Sequence, residues 1–125
     1  MNNEGFVSLW VGVARSEEAL QKFVETSFSD DGDFLGSVFS RAFVLGRYYD
    51  DLLEAEYHES PTATLRDLLR GASYEDVIIG RFEALGTIED PVNCSILLCD
   101  CRHVGPSAWA SADIAITFVG TVKYR

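Results

Sequence analysis

The sequence predicts an α+β domain: a sandwich in which about four helices pack against a mostly antiparallel four-stranded sheet, with residues 1–125 forming one unit. Two periodicities lead to this expectation. Four stretches alternate apolar and polar residues, or run apolar at strand length, and the segments between them repeat apolar residues at helical spacing. Their order along the chain is βααβααββ. A third observation bounds the size: 125 residues, 47% hydrophobic and 12% aromatic, suffice for one core and are few for two.

The first strand is "FVSLWVGV", where Val7, Leu9, Val11 and Val13 make an aliphatic face and Trp10, on the other side, is expected beneath a helix. Ser16 is a helix N-cap, and Glu17 and Glu18 suit the positive end of the helix dipole. Leu20, Phe23 and Val24 form the buried stripe, and the helix is expected to end near Phe28. A second helix is read in "SDDGDFLGSVFSRAFVLG", because Leu35, Val38, Phe39, Ala42 and Phe43 fall on one helical face; Gly46 is its stop.

The next stretch, "YYDDLLEAEYHES", is read as a strand with Leu53, Ala55 and Tyr57 on one face and Glu54, Glu56 and His58 on the other, continued backwards by Asp50. Alternate residues of a strand lie about 6.6 Å apart, so these carboxylates would form an extended ladder. Pro61 breaks the strand, and "TATLRDLLRG" makes a short helix closed by Gly71. Ser73, with Asp76 three residues later, opens a further helix whose Tyr74, Ile78, Phe82 and Leu85 face inward. "CSILLCDC" is apolar on both faces, as a central strand is, and "GPSAWASAD" is read as a loop. The last strand, "IAITFVGTVKYR", points Ile114, Ile116, Phe118 and Val122 to one side.

Charge narrows the function classes. The net charge is −10, and residues 1–60 hold twelve acids against four bases. Such a surface repels nucleic acid and anionic lipid and speeds encounter with a cationic partner, so direct nucleic-acid or membrane binding is not expected. "MNNEGF" lacks the basic and apolar pattern of a signal peptide, no apolar run is long enough for a membrane span, and the three cysteines are odd in number, which together predict a cytoplasmic protein.

The chemical motifs are sparse. "DDGD" at 30–33 lacks the alternating ligands and terminal glutamate of an EF-hand; Asp33 is read as a helix cap, with Asp30 and Asp31 complementing the dipole. Cys99, Cys101 and His103 alternate, so a strand would project all three to one side, a zinc-like set that lacks a fourth ligand because Cys94 has opposite parity. Buried thiols are the simpler reading. "HES" at 58–60 cannot be a local triad, since neighbours on a strand point apart. No cofactor is expected and no enzyme. A small metal- or thiol-dependent enzyme centred on Cys99, Cys101 and His103 is the alternative, and an acidic nucleic-acid mimic or adaptor a third. Trp109, in a small-residue segment, is a candidate contact if its indole is exposed. For the ladder, solubility alone would intersperse charge signs, whereas a cationic partner would account for their absence.

In order along the chain, "VSLWVG", the "SEE" helix opening, "DDGDF", "YYDDLLEAE", "LLRGASYED" and "CSILLCD" resemble the immunity protein 22 family of bacterial polymorphic toxin systems, over nearly the whole chain. The resemblance implies a cytosolic antidote that binds a cognate secreted toxin domain, with a basic nuclease as the partner type that an acidic surface would fit. Carried onto matching positions, it suggests Asp33, Tyr49, Asp50 and Glu54 as contacts. Asp30, Asp31, Glu56, His58 and Trp109 complete the candidate partner-binding set. The cysteines and the segment around Trp109 look particular to this chain and inherit no family role.

Overall fold

A computed structural model describes residues 3–125; Met1 and Asn2, which begin the "MNNEGF" stretch, lie outside the described residues. The elements, in order, are β1 (Phe6–Ala14), α1 (Glu17–Val24), β2 (Ser27–Phe28), β3 (Phe34–Gly36), α2 (Val38–Ala42), a 3₁₀ turn (Asp50–Leu52), β4 (Leu53–Thr62), α3 (Leu65–Leu69), α4 (Glu75–Glu83), β5 (Val92–Cys99), β6 (Ala108–Ala110) and β7 (Ile114–Lys123). The main sheet runs β4-β5-β1-β7-β6, and every neighbouring pair is antiparallel. It has five strands, one more than expected, and β2 and β3 form a separate two-stranded hairpin.

Helices cover both faces of the sheet. On one face Val7, Leu9 and Val11 pack with Leu97, the α3 leucines 65, 68 and 69, and Ile78, Ile79 and Phe82 of α4. On the other face Trp10 packs with Leu20 and Phe23 of α1, Phe39 and Phe43 around α2, and Cys94, Ile96 and Ile116. Trp10 is fully buried, as expected, edge-on to Phe39 at 4.8 Å between ring centroids. At Gly12 the backbone of β7 lies close against β1. A Cβ there would run into the Ala115 carbonyl oxygen and crowd Ile116 Cδ1.

Local differences from the sequence reading have identifiable causes. Ser16 caps α1 by accepting the Ala19 amide, but the helix ends at Val24, before Phe28. Helical spacing over Leu35–Phe43 does not make one helix, because Gly32, at φ 86°, turns the chain between Phe28 and Phe34, which pair in the hairpin. Only Val38–Ala42 is helical, and its cap is Ser37, whose hydroxyl accepts the Ser40 amide, so Asp33 is not the cap and Gly46 is not the stop. Leu35 and Val38 stay exposed. α4 starts from Tyr74, at φ 62° with no side-chain cap, and Tyr74 and Leu85 are about half exposed while Ile78 and Phe82 are buried. Around β-bulge Leu9/Trp10 the pairing slips from Gly120 to Phe118, so Val122 faces α3 and α4 while Ile114, Ile116 and Phe118 face α1 and α2. Part of the supposed loop "GPSAWASAD" is β6, which pairs Trp109 with Ile116.

Candidate partner interface

β4 is an edge strand of the sheet. Leu53, Ala55 and Tyr57 turn inward toward the face that α1 and α2 cover, as expected. Glu54 lies on the opposite side, where its Oε1 accepts the Ser73 amide at 3.1 Å from the α3–α4 connection. His58 is on that side too, with Nε2 3.1 Å from the Leu68 carbonyl; a carbonyl only accepts, so Nε2 carries the proton and the ring latches β4 to α3. Glu56 and Glu59 are exposed. Between Tyr57 and Thr62 the pairing with β5 is interrupted, so the ladder stays regular only through Tyr57.

Asp50 departs from the ladder. It sits in the 3₁₀ turn before β4, and both its carboxylate oxygens accept from Thr26 Oγ1, at 2.8 and 2.9 Å, on the α1 side. There it borders a cleft of about 470 Å³ with Glu18, Glu25 and Leu53. Glu54 and Asp50 therefore face different sides of the edge.

Asp30, Asp31 and Asp33 occupy the connection of the β2–β3 hairpin and are exposed. Ser29 closes this connection: its amide donates to the Asp33 carbonyl at 2.9 Å and its hydroxyl accepts the Asp33 amide at 3.0 Å. An aromatic row leads back from the hairpin, Phe28 to Phe34 at 6.0 Å and Phe34 to Tyr48 at 5.6 Å. Tyr48 is partly buried, which is the main reason its phenol pKa is raised; the nearby Asp50 charge acts in the same direction. Tyr49 is 74% exposed. Phe28 and Leu35, absent from the sequence-based candidates, are each about half exposed. Their signal was available: "SDDGD" between two phenylalanines is a turn pattern.

Among the described residues five ion pairs form, Arg15–Asp113, Lys22–Glu18, Arg66–Glu83, Arg70–Asp67 and Arg125–Glu4. None involves an acid between residues 30 and 59. Trp109 is partly buried and stacks at 5.3 Å on Phe23 of α1, so its indole is shared with the core rather than free.

The Cys99, Cys101 and His103 set is not brought together. Asp100, at φ 57°, turns the chain after β5, so Cys99 packs on the α3/α4 face and Cys101 on the α1/α2 face. His103 is buried among Trp10, Phe43 and Phe118, with Nε2 2.6 Å from the Pro106 carbonyl. Burial pushes the Cys94 thiol up to about 12; burial, then the Glu54 and Asp100 charges, push Cys99 up to about 11. Burial also raises Cys101. A nucleophilic thiol needs the opposite shift. No cluster of three or more His, Cys, Asp or Glu suited to a metal ion occurs among the described residues, and no helix among them is long and apolar enough to cross a membrane.

A family model described as immunity protein 22 matches residues 7–125. The chain belongs to the immunity protein 22 family. Comparison with curated proteins and with solved structures gives no match. The family match covers every element described above except Phe6, the first residue of β1. Membership carries an immunity role and with it a toxin as binding partner.

Proposed function

We propose that this protein is a cytoplasmic antidote, not an enzyme, that binds a cognate secreted toxin domain with a basic surface, such as a nuclease, and neutralises it by occupying the groove that holds phosphates. Family membership supplies the immunity role. The observation that carries the rest is the set of carboxylates from Asp30 to Glu59 with no ion-pair partner among the described residues. Leaving them unpaired costs self-repulsion, and a cationic partner removes that cost on binding. Asp30, Asp31 and Asp33 on the hairpin, Tyr49 and Asp50 beside it, and Glu54 and Glu56 on the edge strand are the proposed contacts. Asp50, Glu54, His58 and Trp109 are each engaged within the fold, and His58 and Trp109, which bring no carboxylate, have the weaker claim. The separation of the cysteines and their raised pKa values speak against the thiol or metal reading.

Co-expression with the toxin domain encoded in the adjacent open reading frame tests this directly: cells carrying the protein grow and cells without it do not. Charge reversal of Glu54 and Glu56 to Lys is expected to weaken binding of that domain at least tenfold with the fold retained, the melt lowered only by loss of the exposed Glu54–Ser73 bond. Wild-type affinity in the double variant would remove the edge strand from the interface.

A further inference from the structure

Five of the nine large apolar side chains exposed among the described residues, Phe28, Leu35, Val38, Val44 and Tyr49, lie in an acid-rich segment. Residues 27–52 hold five carboxylates, Asp30, Asp31, Asp33, Asp50 and Asp51, against two arginines, and Arg41 is engaged by the Leu35 carbonyl at 3.2 Å. The same segment carries the Phe28–Phe34–Tyr48 row, half exposed at its Phe28 end, and the outward Tyr49 ring. Two bonds make one surface of these pieces. Thr26, at the foot of the hairpin, donates to Asp50, and Ser37 Oγ lies 3.4 Å from Tyr48 Oη.

We infer that this surface, the β2–β3 hairpin with the chain from Tyr48 to Asp50, supplies the anchor of the toxin complex by receiving arginine side chains of a basic protein face between exposed aromatic rings and unpaired carboxylates. The inference rests on the proposed antidote role and adds where the binding energy sits. Guanidinium groups stack on aromatic faces while their edges donate to carboxylates, and lysine offers only a point charge. A purely solvating acidic surface has no use for half-exposed phenylalanine, and a purely apolar interface has none for five acids. Together they select a partner that is both flat-faced and cationic. Tyrosine and other aromatic anchors dominate interface energetics when neighbouring groups exclude water from them. On this division of labour the rings set how long the complex lasts, and the acids set how fast it forms.

Binding kinetics on a catalytically inactivated form of the adjacent-frame toxin domain test the inference, with immobilised toxin and the full-length protein. Tyr49→Ala is expected to raise the dissociation rate about tenfold or more while leaving the salt dependence of association unchanged. Tyr49→Phe is expected to dissociate at the wild-type rate, because the ring and not the hydroxyl does the holding. Asp30→Asn/Asp31→Asn/Asp33→Asn should instead slow association and flatten its dependence on salt. Phe28→Ala should resemble Tyr49→Ala; should its thermal melt show loss of folding, Tyr49→Ala decides, since that ring is 74% exposed. Wild-type dissociation in Tyr49→Ala, with the unaltered protein binding tightly, overturns the anchor and leaves the antidote role standing. Failure of the unaltered protein to bind overturns both.

Discussion

Asp100 holds three parts of the chain in one place. It follows β5 in a left-handed conformation, and its Oδ1 accepts the Tyr124 hydroxyl at 2.6 Å and the Gly5 amide at 3.0 Å, joining both ends of the chain to the sheet. The Tyr124 bond first, then the Gly5 amide, holds its carboxyl below the ordinary carboxylate value; the same bond raises the Tyr124 phenol. A depressed carboxyl stabilises the fold above its unfolded value, near pH 4, and that stability is lost as pH falls through the folded value. A raised phenol stabilises below about pH 10 and loses its contribution as pH rises through the folded value. Asp100→Asn, which tolerates the left-handed backbone, is therefore expected to flatten the acid limb of a urea-midpoint profile between pH 2 and 6; an unchanged limb would assign it to other carboxyls. Gly12 is the other decisive residue. Alanine there meets backbone, which cannot rotate away, so Gly12→Ala should cost about 3 kcal/mol in urea unfolding. A loss under about 0.5 kcal/mol would show that β7 can yield. Trp10 Nε1 is buried without a hydrogen-bond acceptor among the described residues, and aromatic rings surround the indole. Trp10→Phe should then cost less than truncation of so large a side chain, about 3–5 kcal/mol for alanine, because it removes an unsatisfied donor along with the volume.

At the scale of elements, the thiols give a direct check on the strand geometry. With Cys94 fully buried and Cys99 and Cys101 on opposite faces, all with raised pKa values, labelling by a thiol reagent at pH 7 should be slow in the native protein and fast in denaturant. Rapid native labelling would mean that the end of β5 opens readily. The expectation that these residues share a face shows the limit of periodicity. Parity holds only while the backbone stays extended, and one left-handed residue, Asp100, reverses it. The Leu9/Trp10 bulge does the same to Val122. Strands with long alternation, β1, β4 and β7, and the apolar β5 were legible because burial on each face writes itself into the residue types. β6 was not, since two of its three residues are alanines and its reason to form is the Trp109 contact with Phe23. Leu35, Val38, Phe39, Ala42 and Phe43 misled for a different reason. Helical spacing is necessary for a helix but does not outweigh a Gly32 turn that pairs two phenylalanines. Of the candidate interface, the acids of β4 were legible in kind and partly in place. Asp50 was not, because a 3₁₀ turn before the strand rotates it toward α1.

For the molecule as a whole, charge is the property that reaches farthest. The net −10 concentrates in the half of the chain that contributes the hairpin and β4, so the long-range field and the proposed contact surface coincide. Association with a basic domain is expected to slow by roughly tenfold or more on raising ionic strength from about 20 to 500 mM, because the Debye length shrinks from about 20 Å to a few ångströms. A flat profile in stopped-flow mixing would detach steering from recognition. The strand order has its own consequence. β1 lies at the centre, yet both its neighbours, β5 and β7, come from residues 92–123. During synthesis the first strand must wait, with its apolar face unsatisfied, until residues 92–123 have left the ribosome. Closing such distant pairings places this chain among the slow-folding topologies, with maturation in milliseconds to seconds rather than microseconds, and leaves early fragments to chaperones.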